Sequence, residues 1–169
     1  SEMCIRDRVG SSSEFGETLK LQKKVGINCK KRPINNYAIS KYLFYKAALK
    51  LAKELKVNCR YARLFQVYGP NERKNRLIPS LFSALKKNRI FFINQPNSVR
   101  DFISVNDVVI KLLEMKNFKK KNTIETWHIG SGKPLKIKDF FLNFLKKNFK
   151  KNKDKKIKFK KNIINYENH

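Results

Sequence analysis

Tyr37 and Lys41 stand four residues apart in Tyr37-Ala38-Ile39-Ser40-Lys41, a spacing that puts a phenol and an ammonium on one face of a helix, one turn apart. A tyrosine normally gives up its proton near pH ~10, and a fixed positive charge beside the ring favours the phenolate and draws that value toward working pH. A tyrosine so placed can take a proton from an alcohol while hydride leaves the same carbon, provided a hydride acceptor is stacked alongside. In a lysine-rich chain the same spacing also arises as a half-buried tyrosine beside a solvated lysine. The surroundings of the pair decide between these.

The elements around it read as an α/β chain. Residues 9–13 look like the end of a buried strand entering a turn, with serine oxygens exposed at the carboxyl edge of a sheet. Residues 17–36 form a polar loop, and Pro33, Asn35 and Asn36 set up a helix from about Tyr37 to Leu55. Phe44, Ala48, Leu51 and Leu55 follow helical spacing and are expected to face the sheet, with Lys46, Lys50 and Lys53 outside. Residues 57–67 alternate as a strand closed by Gly69-Pro70, completing half of a parallel α/β unit. Pro79 sits in the first turn of an amphipathic helix. Short strands over residues 90–93 and 99–103 flank Gln95-Pro96-Asn97, and Asp107 opens a helix reaching about Met115. Residues 116–122 form a basic loop and 126–129 a strand, followed by a turn into a last helix with Phe140, Phe141, Phe144 and Leu145. The lysine-rich run beyond Asn148 carries an apolar patch at 157–164, expected to pack only against a longer C-terminus.

Four blocks accompany the Tyr/Lys pair: Val9-Gly10-Ser11-Ser12-Ser13-Glu14-Phe15-Gly16, Arg63-Leu64-Phe65-Gln66-Val67-Tyr68-Gly69-Pro70, Val99-Arg100-Asp101-Phe102-Ile103-Ser104-Val105-Asn106-Asp107-Val108 and His128-Ile129-Gly130-Ser131-Gly132. In order and separation they resemble the blocks of extended short-chain dehydrogenases/reductases that act on nucleotide-activated sugars, the NAD-dependent epimerase/dehydratase family. The resemblance implies a partial Rossmann-like parallel sheet plus a small α/β substrate-binding lobe. Residues 1–8 fit nothing in the family and resemble a non-native translated scar. Residues 9–68 would be the remnant of the dinucleotide-binding domain with the Tyr/Lys helix, and 69–169 mainly the discontinuous substrate-binding lobe. The family begins with a strand, a glycine-rich turn and a helix that hold the dinucleotide pyrophosphate. No G-x-G-x-x-G or G-x-x-G-x-x-G occurs among the six glycines. The chain is therefore expected to be the back part of a longer enzyme, inactive by itself and with a truncated C-terminus.

Carried over residue by residue, the resemblance gives Ser11, five before Gly16, as the hydroxyl that binds the reacting sugar oxygen. Tyr37 would exchange the proton, and Lys41 would hold the nicotinamide ribose and bias the tyrosine, both touching NAD or NADP. The backbone at Phe65 would lie against the nicotinamide. Gln66 falls where most members have an asparagine contacting the sugar nucleotide; it keeps the amide but adds a methylene. Arg76 falls at a substrate-contact position, and Arg100 at that of the arginine gripping the nucleotide diphosphate, for which a planar guanidinium is suited. Sugar 4,6-dehydratases carry a glutamate just after the Ser/Thr, where this chain has Ser12 and Ser13. Glu14 comes one residue late, within range only if the alignment is anchored on Ser12. The resemblance thus ranks 4-epimerase or 4-keto reductase chemistry above 4,6-dehydration, and the opening Val9-Gly10-Ser11-Ser12 is most similar to reductases and synthases of surface-polysaccharide deoxysugars. It also implies a homodimer that pairs helices next to the Tyr/Lys segment.

The bulk composition fits one domain of 169 residues with 41% hydrophobic content. With 40 Lys+Arg against 13 Asp+Glu, net charge +27, a basic nucleic-acid-binding module is the rival of another class. The excess is mostly lysine spread over many segments and travels with Asn, Ile and Phe, as AT-rich coding sequence produces, so no nucleic-acid partner is expected. Cys29 and Cys59 have no metal-ligand spacing and suit reduced thiols of a cytoplasmic protein. No metal site is expected, and no apolar run approaches a membrane span.

Overall fold

The computed structural model describes residues 5–21, 25–117, 124–148 and 157–159. They fall into two units, Ser1–Gly69 with Asp101–Pro134, and Pro70–Arg100 with Leu135–His169. The first unit is built on a parallel sheet of Ile5–Ser11 (β1), Asn58–Leu64 (β2) and Ile124–Ile129 (β7), in the order β1-β2-β7. β2 is buried from Asn58 through Arg63. Continuous burial marks a central strand covered on both faces, in place of the half-exposed alternation that its sequence suggests. β1 begins at Ile5, within residues 1–8 that the sequence reading set aside as a non-native scar, and ends at Ser11; Asp7 forms a bidentate pair with the buried Arg60 at 2.7 and 3.0 Å. Among the described residues the other edge of β1 pairs with no strand.

The predicted strand over residues 57–67 is two strands, because the backbone changes partner at Phe65. Phe65 N donates to Ile129 O and Gln66 N to Asp101 O, each at 3.0 Å. Gln66–Tyr68 (β3) then runs parallel to Phe102–Ser104 (β6). This exchange returns Asp101–Pro134 to the first unit. Val105–Asn117 (α4) follows β6, and Ala62, Ile103, Val108, Met115 and Ile129 form the core between helix and sheet.

Asn36–Glu54 (α2) starts where expected. Asn35 is its N-cap, the side chain accepting from Ala38 N at 2.8 Å, a cap worth about 1 kcal/mol. Its inward face differs from the predicted stripe. Ala38, Tyr45 and Ala52 face inward, while Phe44, Leu51 and Leu55 are exposed. The sheet surface explains the rotation: Tyr61 and Arg63 rise from β2 and fill the space, with the Tyr45 ring 4.7 Å from that of Tyr61. Only small or flat side chains fit over them. The same crowding fixes Gly10, since a Cβ there would overlap the Tyr61 ring and hydroxyl. Gly10→Ala is expected to cost about 1–3 kcal/mol through overpacking, read as a lower urea midpoint.

A short 3-10 helix, Ser12–Phe15, follows β1. Gly16 turns the chain at φ 50° and forms a bridge with Arg32, whose carbonyl occupies the place of a Cβ. Within the predicted polar loop, Thr18–Leu21 (α1) is helical.

The second unit comprises Leu77–Lys86 (α3), Phe91–Ile93 (β4), Val99–Arg100 (β5), Leu135–Lys136 (β8), Ile137–Asn148 (α5) and Ile157–Phe159 (β9). β4 pairs with β9 in parallel, and β5 with β8 antiparallel. Ile157 is buried, so the first residues of the apolar patch at 157–164 pack against β4 without the C-terminal extension that the sequence suggested. The rest of that patch lies outside the described residues, as do 118–123 of the predicted basic loop. Rings of Phe82, Phe91, Phe140, Phe141 and Phe144 meet at 5.7–6.1 Å and fill this core. Among the described residues no helix is long and apolar enough to cross a membrane, and no cluster of His, Cys, Asp and Glu could hold a metal ion.

Candidate active site

The carboxyl ends of β1, β2 and β7 lie at one edge of the sheet, because the three strands are parallel. α2 feeds β2 from the opposite edge and so runs antiparallel to it. Its first turns, with Tyr37 and Lys41, therefore belong to the same edge as Ser11, Phe65 and Gly130, the edge where open α/β sheets place ligands. Contacts along α2 agree with that direction. Tyr45, two turns beyond Tyr37, lies against Tyr61, and the Arg63 guanidinium sits 4.6 Å from the Tyr45 ring centre. Lys31 Nζ bridges the rings of Phe15 and Tyr45 at 5.5 and 5.6 Å.

Tyr37 is 57% exposed, and Lys41 Nζ lies 5.7 Å from its ring centre, within the reach of a cation–π contact. Ser11 is the N-cap of the 3-10 turn, and its Oγ accepts from Ser13 N at 3.2 Å and from Ser13 Oγ at 2.9 Å. Phe65 stands at the partner exchange between β2 and β3, its ring edge-on to His128 at 5.5 Å. Gln66 is half-buried at the start of β3. Thus Ser11, Tyr37, Lys41, Phe65 and Gln66 belong to the first unit. Arg76 and Arg100 belong to the second. There Arg76 is exposed and pairs with Glu72 at 3.3 Å, and Arg100 Nη1 donates to the Val99 carbonyl at 2.7 Å.

Beneath Ser11 lies a charged cluster that the sequence reading passed over. Glu14 and Arg63 are both 0% exposed and form an ion pair at 2.8 Å. Glu14 Oε1 also accepts from Ser11 N at 3.1 Å and from the Tyr61 hydroxyl at 2.7 Å. Burial, then the bond to Glu14, holds the Tyr61 phenol far above its ordinary value. Arg63 Nη1 lies 3.0 Å from His128 Nε2. A guanidinium only donates, so Nε2 is the acceptor and the imidazole proton sits on Nδ1. Burial and the Arg63 charge push His128 from its ordinary 6.5 down to about 4. At the adjoining loop, Asp101 accepts from Ser131 N at 2.7 Å, Ser131 Oγ at 2.6 Å and Gly132 N at 2.9 Å, which fixes the Gly130-Ser131-Gly132 turn.

The depressed His128 value has a direct consequence for stability. Between pH 6.5 and 4 the unfolded chain holds a proton on this ring that the native protein does not, so stability is complete above 6.5 and falls as pH drops toward 4. The loss is expected to be ~1–2 kcal/mol, reduced from the full shift because the ring is partly solvated. Urea midpoints against pH check it, with His128→Gln flattening that segment of the curve.

The sequence profile of the NAD dependent epimerase/dehydratase family matches residues 8–130. The chain belongs to this family. Among curated members it is similar to ADP-L-glycero-D-manno-heptose-6-epimerase of Brachyspira hyodysenteriae, 41% identical over 46% of this chain and 27% of the relative. It is also similar to CDP-abequose synthase of Salmonella typhimurium, 34% identical over 47% of this chain and 27% of the relative. The alignments span about a quarter of these relatives' length. Solved structures of the epimerase/dehydratase fold agree. UDP-glucuronic acid 4-epimerase of Bacillus cereus, in complex with UDP-glucuronic acid and NAD, superposes with a TM-score of 0.80 at 20% identity, over 95% of this chain and 50% of that one. dTDP-glucose 4,6-dehydratase of Bacillus anthracis, in complex with NAD, gives 0.74 at 19%, over 91% and 48%. The fold is therefore α/β of the Rossmann type, matching half of these longer chains.

One missed feature was legible. Ser11-Ser12-Ser13-Glu14 is the S-x-x-E signature of a capping box, and both of its hydrogen bonds form. The buried partners Arg63, Tyr61 and His128 come from remote strands and leave no such local signal.

Proposed function

We propose that the whole protein is an NAD(P)-dependent nucleotide-sugar 4-epimerase or 4-keto reductase of surface-polysaccharide sugar synthesis. The observation that carries this choice is the burial of Glu14. A 4,6-dehydratase needs a second acid/base beside the reacting hydroxyl, and here the carboxylate that follows Ser11-Ser12-Ser13 is fully buried, both oxygens engaged with Arg63, Tyr61 and Ser11 N. Ser12 and Ser13, which precede it, carry no carboxylate. The similarity to CDP-abequose synthase fits surface-polysaccharide sugar synthesis, while the heptose relative is a 6-epimerase and a 4,6-dehydratase shares the fold, so the choice of C4 chemistry rests on Glu14.

The residues at the edge suit a nicotinamide ribose: an ammonium on Lys41 beside an exposed phenol on Tyr37. When bound, the dinucleotide supplies or accepts the hydride. Tyr37 takes the proton of the sugar hydroxyl or returns it to the keto oxygen. Lys41 stabilises the phenolate form during that exchange. Ser11 donates to the same sugar oxygen and steadies its developing charge. Gln66, at the start of β3, contacts the sugar nucleotide. The exposed Leu51 and Leu55 of α2 suit a homodimer contact.

Product analysis of the full-length enzyme tests the assignment on a panel of UDP-, CDP-, dTDP- and ADP-sugars. Formation of a C4 epimer without net cofactor consumption, or reduction of a 4-keto sugar with stoichiometric NAD(P)H oxidation, is expected. Release of water with a 4-keto-6-deoxy product contradicts it.

A further inference from the structure

Glu14 is too costly to be an ordinary turn cap. A serine cap alone is worth about 1 kcal/mol, whereas enclosing a carboxylate and a guanidinium incurs a desolvation penalty that apolar residues of similar volume avoid. Each Glu14 oxygen is nevertheless matched. Oε2 meets Arg63 Nε at 2.9 Å and Nη2 at 2.8 Å, and Oε1 meets the Tyr61 hydroxyl and the Ser11 amide. Arg63 is in turn enclosed by the rings of Phe15, Tyr45 and Tyr61 at 4.9, 4.6 and 5.6 Å and by His128. From Glu14 a bond leads out of this enclosed group to the Ser11 backbone amide. At Ser11 Oγ, both acceptor positions are taken by Ser13 N and Ser13 Oγ. A hydroxyl has two acceptor sites and one proton, so the proton of Ser11 is left to donate outward.

We propose that Glu14 is a positioning residue: by pinning the Ser11 amide to a fixed ion pair it holds the Ser11 hydroxyl as an outward hydrogen-bond donor to the reacting sugar oxygen. The proposal rests on the C4 chemistry above and adds the device that presents one of its groups. A donor fixed in advance serves the charge developing on that oxygen better than it serves the neutral substrate, so its loss falls on kcat more than on KM.

The test uses the full-length enzyme with Glu14→Gln, Glu14→Ala and the double variant Glu14→Ala/Arg63→Met. The double variant removes the unpaired buried guanidinium that could unfold the single alanine variant. Glutamine retains an oxygen for the Ser11 amide and is expected to keep kcat within about threefold of wild type, at lower thermal stability. Both alanine variants, assayed well below their unfolding midpoints, are expected to lose at least about tenfold in kcat with KM within about twofold, and to exchange the Ser11 amide faster. Wild-type kcat in the double variant, or glutamine and alanine variants alike in kcat and Ser11 exchange, overturns the positioning role. Turnover that survives Tyr37→Phe overturns the C4 reading and this proposal together. Intact Tyr37 dependence with an indifferent Glu14 overturns this proposal alone.

Discussion

Tyr37→Phe in the full-length enzyme is expected to lower turnover by about 10²- to 10⁴-fold, the range typical of a lost general acid/base, while nucleotide-sugar binding stays near wild type. The substitution removes one oxygen from an exposed position. Among the described residues that hydroxyl has no hydrogen-bond partner, so neither the Asn35 cap nor the Tyr45–Tyr61 contact deeper in α2 is disturbed. Stability should therefore change by no more than about 0.5 kcal/mol, and the loss is chemical. Stopped-assay turnover and calorimetric binding of the nucleotide sugar, measured on the same preparation, separate the two effects. Equal losses in binding and turnover contradict the assignment.

Arg63→Ala is expected to have the largest effect on stability, ~3–5 kcal/mol, the cost of leaving a buried charge without its partner. Glu14 would keep a carboxylate with no cation, and His128 Nε2 would lose its donor. Three rings that now enclose the guanidinium would line a cavity. Neutralising both partners, as Glu14→Gln/Arg63→Met, should recover most of that loss, because what is penalised is the uncompensated charge. Arg76→Ala is the control. Its guanidinium is half exposed where it meets Glu72 in the loop before α3, and pairs open to solvent contribute about 0–1 kcal/mol. Urea denaturation of the four proteins orders these effects. An Arg63→Ala loss as small as that of Arg76→Ala would show that the cluster does not hold the turn.

What could be read from the sequence was local or periodic. Asn35 before Asn36-Tyr37 announces the start of α2, the serine turn after Val9 announces the end of β1, and Pro79 marks the first turn of α3. All three depend on residues within a few positions of one another. The orientation of α2 was not legible, because Leu51 and Leu55 of the expected hydrophobic stripe are exposed and Phe44 lies at its edge, half open to solvent, with its ring against Tyr61. The inward face is chosen by Tyr61 and Arg63, more than a dozen residues downstream. For the same reason the exchange of partners at Phe65 was invisible: the strand signal is continuous, and only pairing with Ile129 and Asp101 breaks it. At the candidate site the spacing of Tyr37 and Lys41 carried over into a close contact. Glu14 was weighed as a displaced dehydratase acid, whereas its partners lie on β2 and bury it.

The measurement that bears most directly on the central claim is rapid mixing of NAD-loaded full-length enzyme with its nucleotide sugar, following absorbance of the reduced dihydronicotinamide. Hydride removal at a carbinol coupled to proton transfer through Tyr37 predicts a reduced-cofactor transient in the wild type. In Tyr37→Phe the transient should be nearly absent. A nucleotide sugar converted to product with no reduced cofactor at any time, or an equal transient in Tyr37→Phe, contradicts the account.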